Sequence, residues 1–401
     1  MSLKFGPSIL AIPGPSVMPE RVLSAMHRAS PNIYEGELVD LTATIYPDLK
    51  KVARTDGKVA VYISNGHGAW EAALRNTVVE GDKILVIVTG RFAANWGIMA
   101  KSLGIEVEVM DFGMHSDADP EQLRQRLDAD KSHEIRAVLT VQTDTATSVL
   151  NDIPSLRAAI DAANHPALFL VDCIASLGCD RYEMDDWGAD VTIAACQKGL
   201  MTPAGISFLF MNEKAVEASN RAKPGEYLDW KPRIDPQMFY QRFCGTAPTQ
   251  HLFGLREALN ILLYEEGIEA VWKRHETIAR AYWAAIDAWG ADGEFGLNIS
   301  DPAKRSRAVS SVFTGTGEAT ALRNWTEVNA GVTLGIGLGF GDKDSVEYNR
   351  RFRIGHMGHN NIPMAMGVIG TIDSGLKALD IPHGEGAMEA ASAVFASYFK
   401  A

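Results

Sequence analysis

Short apolar runs alternate with helix-like segments through the first half of the chain, and this alternation restricts the fold more than any other feature. An apolar run of about five residues between helical segments is typical of a strand buried on both faces of a sheet. Because parallel strands need helical crossovers, the pattern predicts a mainly parallel sheet covered by helices. The predicted strands are Val59 to Ile63, Ile84 to Val88, Ile105 to Met110, Ala137 to Val141, Ala167 to Val171, Val191 to Ala195 and Ile206 to Phe210.

The pattern changes from about Pro248, where long helix-like segments replace the regular alternation. Leu252 to Glu266 and Ile268 to Trp289 are predicted as two long helices, and short strands and further helices follow them. We therefore expect an α/β fold in which a large domain with a mainly parallel sheet precedes a smaller α+β domain. The expected units are an N-terminal arm (residues 1–18), the large domain (residues 19–255) and the C-terminal domain (residues 256–401).

Two charged residues stand at the ends of predicted buried strands. Asp172 follows Ala167 to Val171, and Lys198 follows Val191 to Ala195 within Cys196-Gln197-Lys198-Gly199. Charged side chains are rarely buried without a partner, and ligand sites in parallel sheets lie at the carboxyl ends of strands. A pyridoxal 5′-phosphate (PLP) enzyme needs this arrangement, because the lysine binds the cofactor aldehyde and the carboxylate keeps the pyridine nitrogen protonated. A surface lysine beside a turn is the alternative for Lys198 considered alone.

Other strand ends and loops carry further candidates, each with a plainer alternative. Ser64-Asn65-Gly66-His67-Gly68 opens a helix and suits a phosphate, although an ordinary strand-to-helix turn explains the motif alone. Phe92 could stack on a planar ring or belong to the core. The polar segment from Gln142 to Ser148 could contact a cofactor or be a solvated loop. Arg353, between apolar neighbours, suits either a substrate carboxylate or a structural salt bridge.

Composition and charge exclude several classes of protein. A net charge of −12 argues against nonspecific nucleic-acid binding. No apolar stretch approaches the ~20 residues of a membrane span, and no secretory signal is visible. Four cysteines without a CxxC pair predict reduced thiols and a cytoplasmic location. His356 and His359 have a spacing that metal ligands use, but no carboxylate or cysteine cluster accompanies them, so we expect no metal site.

Taken together, these residues resemble the class V aminotransferases of fold type I, above all their serine–glyoxylate and alanine–glyoxylate branch. The resemblance runs from Pro13-Gly14-Pro15 to Phe352-Arg353-Ile354-Gly355-His356-Met357-Gly358. Its most specific part is Val171-Asp172-Cys173-Ile174-Ala175-Ser176-Leu177-Gly178, followed at the family's spacing by Gln197-Lys198-Gly199. The resemblance implies PLP as the cofactor and a homodimer with shared active sites.

The resemblance also implies which residues carry the chemistry. Lys198 would bind the cofactor covalently and move the proton, and Asp172 would pair with the pyridine nitrogen. Arg353 would clamp the substrate α-carboxylate, with Gly14 shaping the floor of the pocket.

The resemblance assigns the remaining candidates to cofactor binding. Ile174 would pack on one face of the ring and Phe92 on the other, and Thr145 would contact the region of the ring hydroxyl. The phosphate would be held by the backbone of Asn65, Gly66 and His67, by the side chain of Gln197, and by Thr246 of the partner subunit.

Several positions depart from the family's pattern. Relatives usually have His or Asn where this chain has Gln142, Glu where it has Asp144, and Gly where it has Ser148. Many carry Ser or Thr in place of Asn65. Asn32-Ile33-Tyr34-Glu35-Gly36 replaces a His-Arg-Ser-Pro segment that is common in the serine–glyoxylate group. These departures concern the substrate more than the cofactor.

The expected activity is PLP-dependent transamination from a small amino acid (serine or alanine) to a short 2-oxo acid (glyoxylate or pyruvate). Another donor, such as aspartate or 2-aminoethylphosphonate, is the nearest alternative. A PLP-dependent carbon–sulfur lyase would need a nucleophilic cysteine on a loop near the small domain, and no cysteine follows Cys244. A binding module without catalysis would be expected to lose Lys198 or Asp172.

Overall fold

The chain folds around two β-sheets of different size. The computed structural model describes residues 3–315 and 317–400. In chain order the strands are β1 (Ile9–Ala11), β2 (Lys58–Tyr62), β3 (Lys83–Val88), β4 (Glu106–Asp111), β5 (Ile135–Val141), β6 (Thr143–Asp144), β7 (Val149–Leu150), β8 (Leu168–Asp172), β9 (Val191–Ala195), β10 (Ser207–Met211), β11 (Gly296–Leu297), β12 (Val309–Phe313), β13 (Val332–Ile336) and β14 (Arg351–Gly355).

Helices cover both sheets and connect most of their strands. They are α1 (Glu20–Met26), α2 (Glu37–Ala53), α3 (Gly66–Thr77), α4 (Arg91–Ser102), α5 (Pro120–Ala129), α6 (Ile153–Ala162), α7 (Glu213–Ala218), α8 (Lys231–Ile234), α9 (Thr249–Asn260), α10 (Ile268–Trp289), α11 (Glu318–Ala330), α12 (Val346–Asn349), α13 (Ile362–Ala378) and α14 (Ala387–Tyr398). A π-helical stretch, Ile261–Glu266, joins α9 to α10. None of the helices in the described residues is long and apolar enough to cross a bilayer.

The larger sheet has seven strands in the order β2-β10-β9-β8-β5-β3-β4. All neighbouring strands are parallel except β10, which is antiparallel to both β2 and β9. The exception has a simple cause, because the link from β9 to β10 contains no helix and is too short for a crossover. The predicted mainly parallel sheet is therefore confirmed, with one reversed strand.

Residues on the two faces of this sheet belong to two different cores. Along β5, Val138 packs in the core that contains Leu49 and Phe169, whereas Leu139 packs in the core that contains Trp96. Side chains alternate between faces along a strand, so burial on both sides requires helices on both sides. The structure thereby confirms an α/β architecture.

The smaller sheet has the order β1-β13-β14-β12-β11 and its own core against α10 and α13. Strand β1 pairs in parallel with β13, and the other pairs are antiparallel. The N-terminal arm therefore contributes a strand to the C-terminal sheet. The predicted boundary at residue 255 falls within α9, and the domain limits stay a prediction.

Candidate active site

The ends of β2, β3, β5, β8 and β9 meet around a cavity of about 150 Å³. Each predicted site residue that follows one of these strands has its side chain or backbone at this cavity. The lining residues are Asn65, Gly66, His67, Trp70, Phe92, Val141, Thr143, Thr145, Asp172, Ile174, Ala175, Gln197 and Lys198. The structure thus brings together every residue predicted to bind the cofactor except Thr246.

A larger groove of about 550 Å³ lies elsewhere, lined by Gln142, Asp180 and Trp272 among others. Neither Lys198 nor Asp172 reaches it. We assign the active site to the smaller cavity, because that cavity gathers the charged residues at the strand ends.

Asp172 ends β8 and is almost completely buried, with 3% of its surface exposed. Its Oδ2 accepts a hydrogen bond from Trp70 Nε1 at 2.8 Å, and its Oδ1 accepts one from the Ile174 backbone N–H at 2.6 Å. Burial raises the pKa of Asp172 to about 7, against the opposing effect of these two hydrogen bonds. The carboxylate is therefore fixed in direction and favours a positively charged partner.

Lys198 enters the cavity from the turn after β9. Its Nζ donates to the carbonyl oxygen of Pro13, and its own carbonyl accepts from Ser16 Oγ at 2.7 Å. Gly14 leaves room for the side chain, since a Cβ there would lie 2.6 Å from Lys198 Cε. Burial and the charge of Arg353 lower the pKa of Lys198 to about 8, although Asp172 opposes the shift. The amine thus loses its proton more readily than an exposed lysine, which favours attack on an aldehyde.

Helix α3 begins at the cavity and presents its N-terminus there. The Asn65 side-chain oxygen accepts from the backbone N–H groups of His67 at 3.1 Å and Gly68 at 3.3 Å. A Cβ at Gly66 would overlap Ile174 Cδ1, so the close approach of these two segments depends on glycine. The Asn65 side chain thus caps two N–H groups of the first turn, and the helix dipole favours an anion at this end.

Aromatic side chains form one wall of the cavity. The Phe92 and Trp70 rings meet edge to face, with centroids 6.4 Å apart, and Trp70 stacks on Trp96 at 5.9 Å. His67 packs on Trp70 at 4.6 Å. This layered packing holds the wall in place for a planar ligand.

Arg353 lies in β14, with 7% of its surface exposed. Its Nε donates to the Ile336 carbonyl at 2.7 Å and its Nη1 to the Thr145 carbonyl at 2.9 Å. Within the described residues its Nη2 makes no hydrogen bond. Burial lowers the pKa of Arg353 to about 10, and the charge of Asp144 opposes that shift. Two neutral carbonyls thus orient the guanidinium and leave the edge that carries Nη2 available to a carboxylate.

Arg353 and Gly14 are not among the lining residues, although each adjoins one of them, Thr145 and Lys198, respectively. The remaining candidates do not line the cavity either. Thr246 is exposed, ahead of α9, so its predicted contact with the neighbouring subunit's cofactor stays a prediction. His356 is buried and bonded to Ser310 Oγ at 3.0 Å and the Arg307 carbonyl at 2.9 Å. His359 is exposed. His356 therefore has a structural role in joining β14 to its neighbours.

Two functional contacts were not predicted from the sequence. Trp70 holds the Asp172 carboxylate, and the buried Asp144 receives hydrogen bonds from the start of α4. The spacing of Trp70 contained a signal, because it lies one helical turn after Gly66 and so shares its face of α3. Asp144 gave no such signal, because its partners are distant in sequence.

The cavity has the chemistry that PLP requires. An amine, a carboxylate and a helix N-terminus line one space of limited size, and two glycines keep it open where a Cβ would intrude. Gln197 lines the same space, and its Oε1 has no hydrogen-bond partner among the described residues. Lys198, Asp172 and the start of α3 would hold the aldehyde, pyridine nitrogen and phosphate, respectively.

Comparisons with known proteins agree with this geometry. The family model described as aminotransferase class-V matches residues 15–337. A serine–glyoxylate aminotransferase of Methylorubrum extorquens is 36% identical over 93% of each chain, and an L-aspartate–glyoxylate aminotransferase of Paracoccus denitrificans is 32% identical over 92% of this chain and 91% of its own. The crystal structure of ureidoglycine–glyoxylate aminotransferase from Bacillus subtilis superposes with a TM-score of 0.87 at 22% identity, covering 98% of this chain and all of that one. The chain therefore belongs to the class V family of aminotransferases.

Proposed function

We propose that the protein transfers the amino group of serine or alanine to glyoxylate or pyruvate with PLP as its cofactor. The observation that carries the proposal is the meeting of Lys198 and Asp172 in one cavity, with the Arg353 guanidinium bonded to Thr145 at its edge. The serine–glyoxylate aminotransferase of Methylorubrum extorquens supports the choice of substrates.

Asp172, Trp70, Lys198 and Arg353 would each have a separate role in this reaction. When bound, PLP withdraws electrons from the substrate Cα, so that an amino group can leave one substrate and join another. Asp172 would keep a proton on the cofactor's ring nitrogen through its negative charge, and Trp70 fixes the direction of that carboxylate. The amine of Lys198 would hold the cofactor aldehyde, and its Nζ would carry the proton taken from the substrate Cα.

Arg353 orients the substrate. Each half-reaction places an α-carboxylate in the same place, and the free edge of the guanidinium can bind both carboxylate oxygens. Lys198 is the sole cationic side chain among the residues that line the cavity, and Arg353 adjoins that lining through its hydrogen bond to Thr145. A distal carboxylate or phosphonate would thus have no evident partner there, which favours small substrates over aspartate and 2-aminoethylphosphonate.

Aspartate is the second candidate donor, because the Paracoccus denitrificans relative carries that substrate in its name. The lining residues favour serine and alanine, and a direct comparison of donors decides between them. A carbon–sulfur lyase has less support, since no cysteine follows Cys244.

We further propose a homodimer in which Thr246 of the partner subunit reaches the cofactor phosphate. Thr246 is exposed, and the nearby Met238 and Tyr240 expose 60% and 52% of their surfaces. Large apolar side chains at the surface suit a subunit interface. The cytoplasmic location stays a prediction.

A half-reaction screen tests the proposed function. Purified PLP-loaded protein is mixed with serine, alanine, aspartate or 2-aminoethylphosphonate, and the change in cofactor absorbance is followed. We expect serine or alanine to react fastest and Lys198→Ala to abolish turnover. Lys214→Ala is the matched control, because Lys214 also donates to a backbone carbonyl, that of Ala167 at 3.0 Å, but lies outside the cavity. Turnover in Lys198→Ala would contradict the assigned role of Lys198. A tenfold or greater preference (about 1.4 kcal/mol) for aspartate would contradict the proposed donors.

A further inference from the structure

Asp144 is a fully buried carboxylate beside the active site. Helix α4 has Gly90 as its N-cap residue, which has no side chain to accept the first N–H groups. Asp144, which lies far away in the sequence, takes that place. Its Oδ2 accepts from the backbone N–H of Phe92 at 2.7 Å and of Ala93 at 3.4 Å. Burial raises the pKa of Asp144, while these N–H groups and the charge of Arg353 oppose that shift and favour the carboxylate. The two hydrogen bonds fix the start of α4, which carries Phe92 of the cavity wall.

The approach of the carboxylate to α4 depends on Gly90. A Cβ at Gly90 would lie 2.5 Å from Asp144 Oδ2 and 2.7 Å from Oδ1. The φ angle of Gly90 is 169°, which is extended backbone that any residue adopts. An alanine at this position would therefore disturb the Asp144 carboxylate and not the backbone conformation.

The other oxygen of Asp144 organises the turn that holds Arg353. Oδ1 accepts from the Ala146 backbone N–H at 2.9 Å, and the Ser148 N–H donates to the Asp144 carbonyl at 2.8 Å. Thr145, enclosed by this turn, provides the carbonyl that accepts from Arg353 Nη1. The charge of Asp144 also favours the protonated guanidinium, opposing the effect of burial on the pKa of Arg353.

We propose that Asp144 is a positioning residue that sets Phe92 and Arg353 relative to each other, so that substrate carboxylate binding depends on its charge and place. The inference rests on the proposed transamination. One carboxylate contacts both the segment that carries the ring-stacking Phe92 and the turn whose Thr145 carbonyl accepts a hydrogen bond from Arg353. Its displacement should therefore change the affinity for the cofactor and for substrate together.

The test compares Asp144→Asn with a buried carboxylate that has only a structural role. Asp130 is a suitable match, since it accepts backbone N–H groups of Glu134 at 3.1 Å and Ile135 at 2.9 Å, away from the cavity. For each PLP-loaded variant we would measure Tm, kcat and the KM of donor and acceptor, and in a separate titration the Kd for PLP. We expect Asp144→Asn to raise both KM values about tenfold and to weaken PLP binding, as the loss of a charged hydrogen bond implies. Asp130→Asn should lower Tm with KM within about twofold of the wild type.

Two further variants separate position from charge. Asp144→Glu keeps the charge and should recover part of the lost affinity. Gly90→Ala displaces the carboxylate without removing it and should raise both KM values. In an Asp144→Ala background the same alanine has no carboxylate to displace, so its effect should disappear.

Either of two results would overturn the proposal. One is a wild-type KM and PLP affinity in Asp144→Asn and in Gly90→Ala. The other is a Gly90→Ala effect of equal size with and without the Asp144 carboxylate. If Asp144→Asn does not fold, Gly90→Ala decides the question. Failure of the proposed function would give a different result from failure of this inference. If the wild type bound PLP but transaminated no donor, the PLP Kd values of the wild type and the Asp144 variants could still be compared.

Discussion

Burial of Asp172 should make the unfolding free energy of the PLP-free protein depend on pH in a defined direction. The pKa of the carboxyl is about 7 in the folded chain, compared with 3.8 for an unperturbed group. Below pH ~4 it is protonated in both states, and between pH ~4 and ~7 only the folded state keeps the proton. The contribution to stability is therefore present at low pH and is lost as the pH rises through 7. Asp172→Asn removes this dependence.

The size of the effect follows from the shift in pKa. A shift of about three units corresponds to ~4 kcal/mol over the whole titration, and most of this, ~3 kcal/mol, falls between pH 5 and pH 8. The asparagine amide can accept from either Trp70 Nε1 or the Ile174 N–H, but its NH₂ group faces the other donor. This mismatch costs ~1–3 kcal/mol at every pH. The prediction therefore concerns how steeply the unfolding free energy changes with pH in the wild type and in Asp172→Asn, and not their absolute stabilities.

The assay is urea unfolding of PLP-free wild type and Asp172→Asn at pH 5, 6, 7 and 8. We expect the free energy of the wild type, relative to the variant, to fall by ~3 kcal/mol across this range. Asp48→Asn is the control. Burial alone would raise the pKa of Asp48, but hydrogen bonds from Tyr264, Lys51 and Arg256 outweigh it and lower that pKa. The difference in unfolding free energy between wild type and Asp48→Asn should therefore be constant from pH 5 to pH 8. Parallel curves for wild type and Asp172→Asn would refute the reasoning.

Two further predictions concern backbone and packing at the site. Ser148 has φ +62°, and its Oγ donates to the Thr147 carbonyl. Both Ser148→Gly and Ser148→Ala lose the hydroxyl, but only alanine keeps the backbone strain. The unfolding free energy of Ser148→Gly should therefore exceed that of Ser148→Ala by ~1 kcal/mol, with a higher urea midpoint. Equal midpoints would contradict this. Gly66→Ala would push Ile174 into the cavity and weaken PLP binding about tenfold, consistent with the 1–3 kcal/mol cost of overpacking. Adding Ile174→Val, which lacks Cδ1, should restore the PLP Kd measured by titration, and a double variant no better than the single one would contradict the steric cause.

Local patterns predicted the elements that carry the cofactor site. Strand β9 and helix α10 have the predicted bounds, because each is a continuous or periodic apolar segment with clear ends. The meeting of Asp172 with Lys198 also followed from the sequence, since the carboxyl ends of neighbouring parallel strands share one edge of a sheet.

Contacts between distant segments could not be predicted in the same way. Helix α2 contains Pro47, a residue that usually ends a helix. The buried face of α2 packs in the core that contains Leu49 and Phe169, and this packing compensates for the missing hydrogen bond. Asp144 replaces the side-chain cap that Gly90 cannot provide, and neither residue indicates the other in the sequence. Strand β1 has only three residues, too few for a periodic signal, and its partner follows more than 300 residues later.

The pairing of β1 with β13 has a consequence for how the protein is made. Strand β1 directly precedes Pro13 and Ser16, which are both bonded to Lys198. It has no partner strand until Val332–Leu334 of β13 have been synthesised. At ~5–20 residues per second, ribosomes need on the order of 15–60 s for that stretch. The seven-stranded sheet, complete at Met211, can form well before then. The lysine's surroundings are thus among the last parts of the nascent chain to be finished, after every strand of the main sheet has been synthesised.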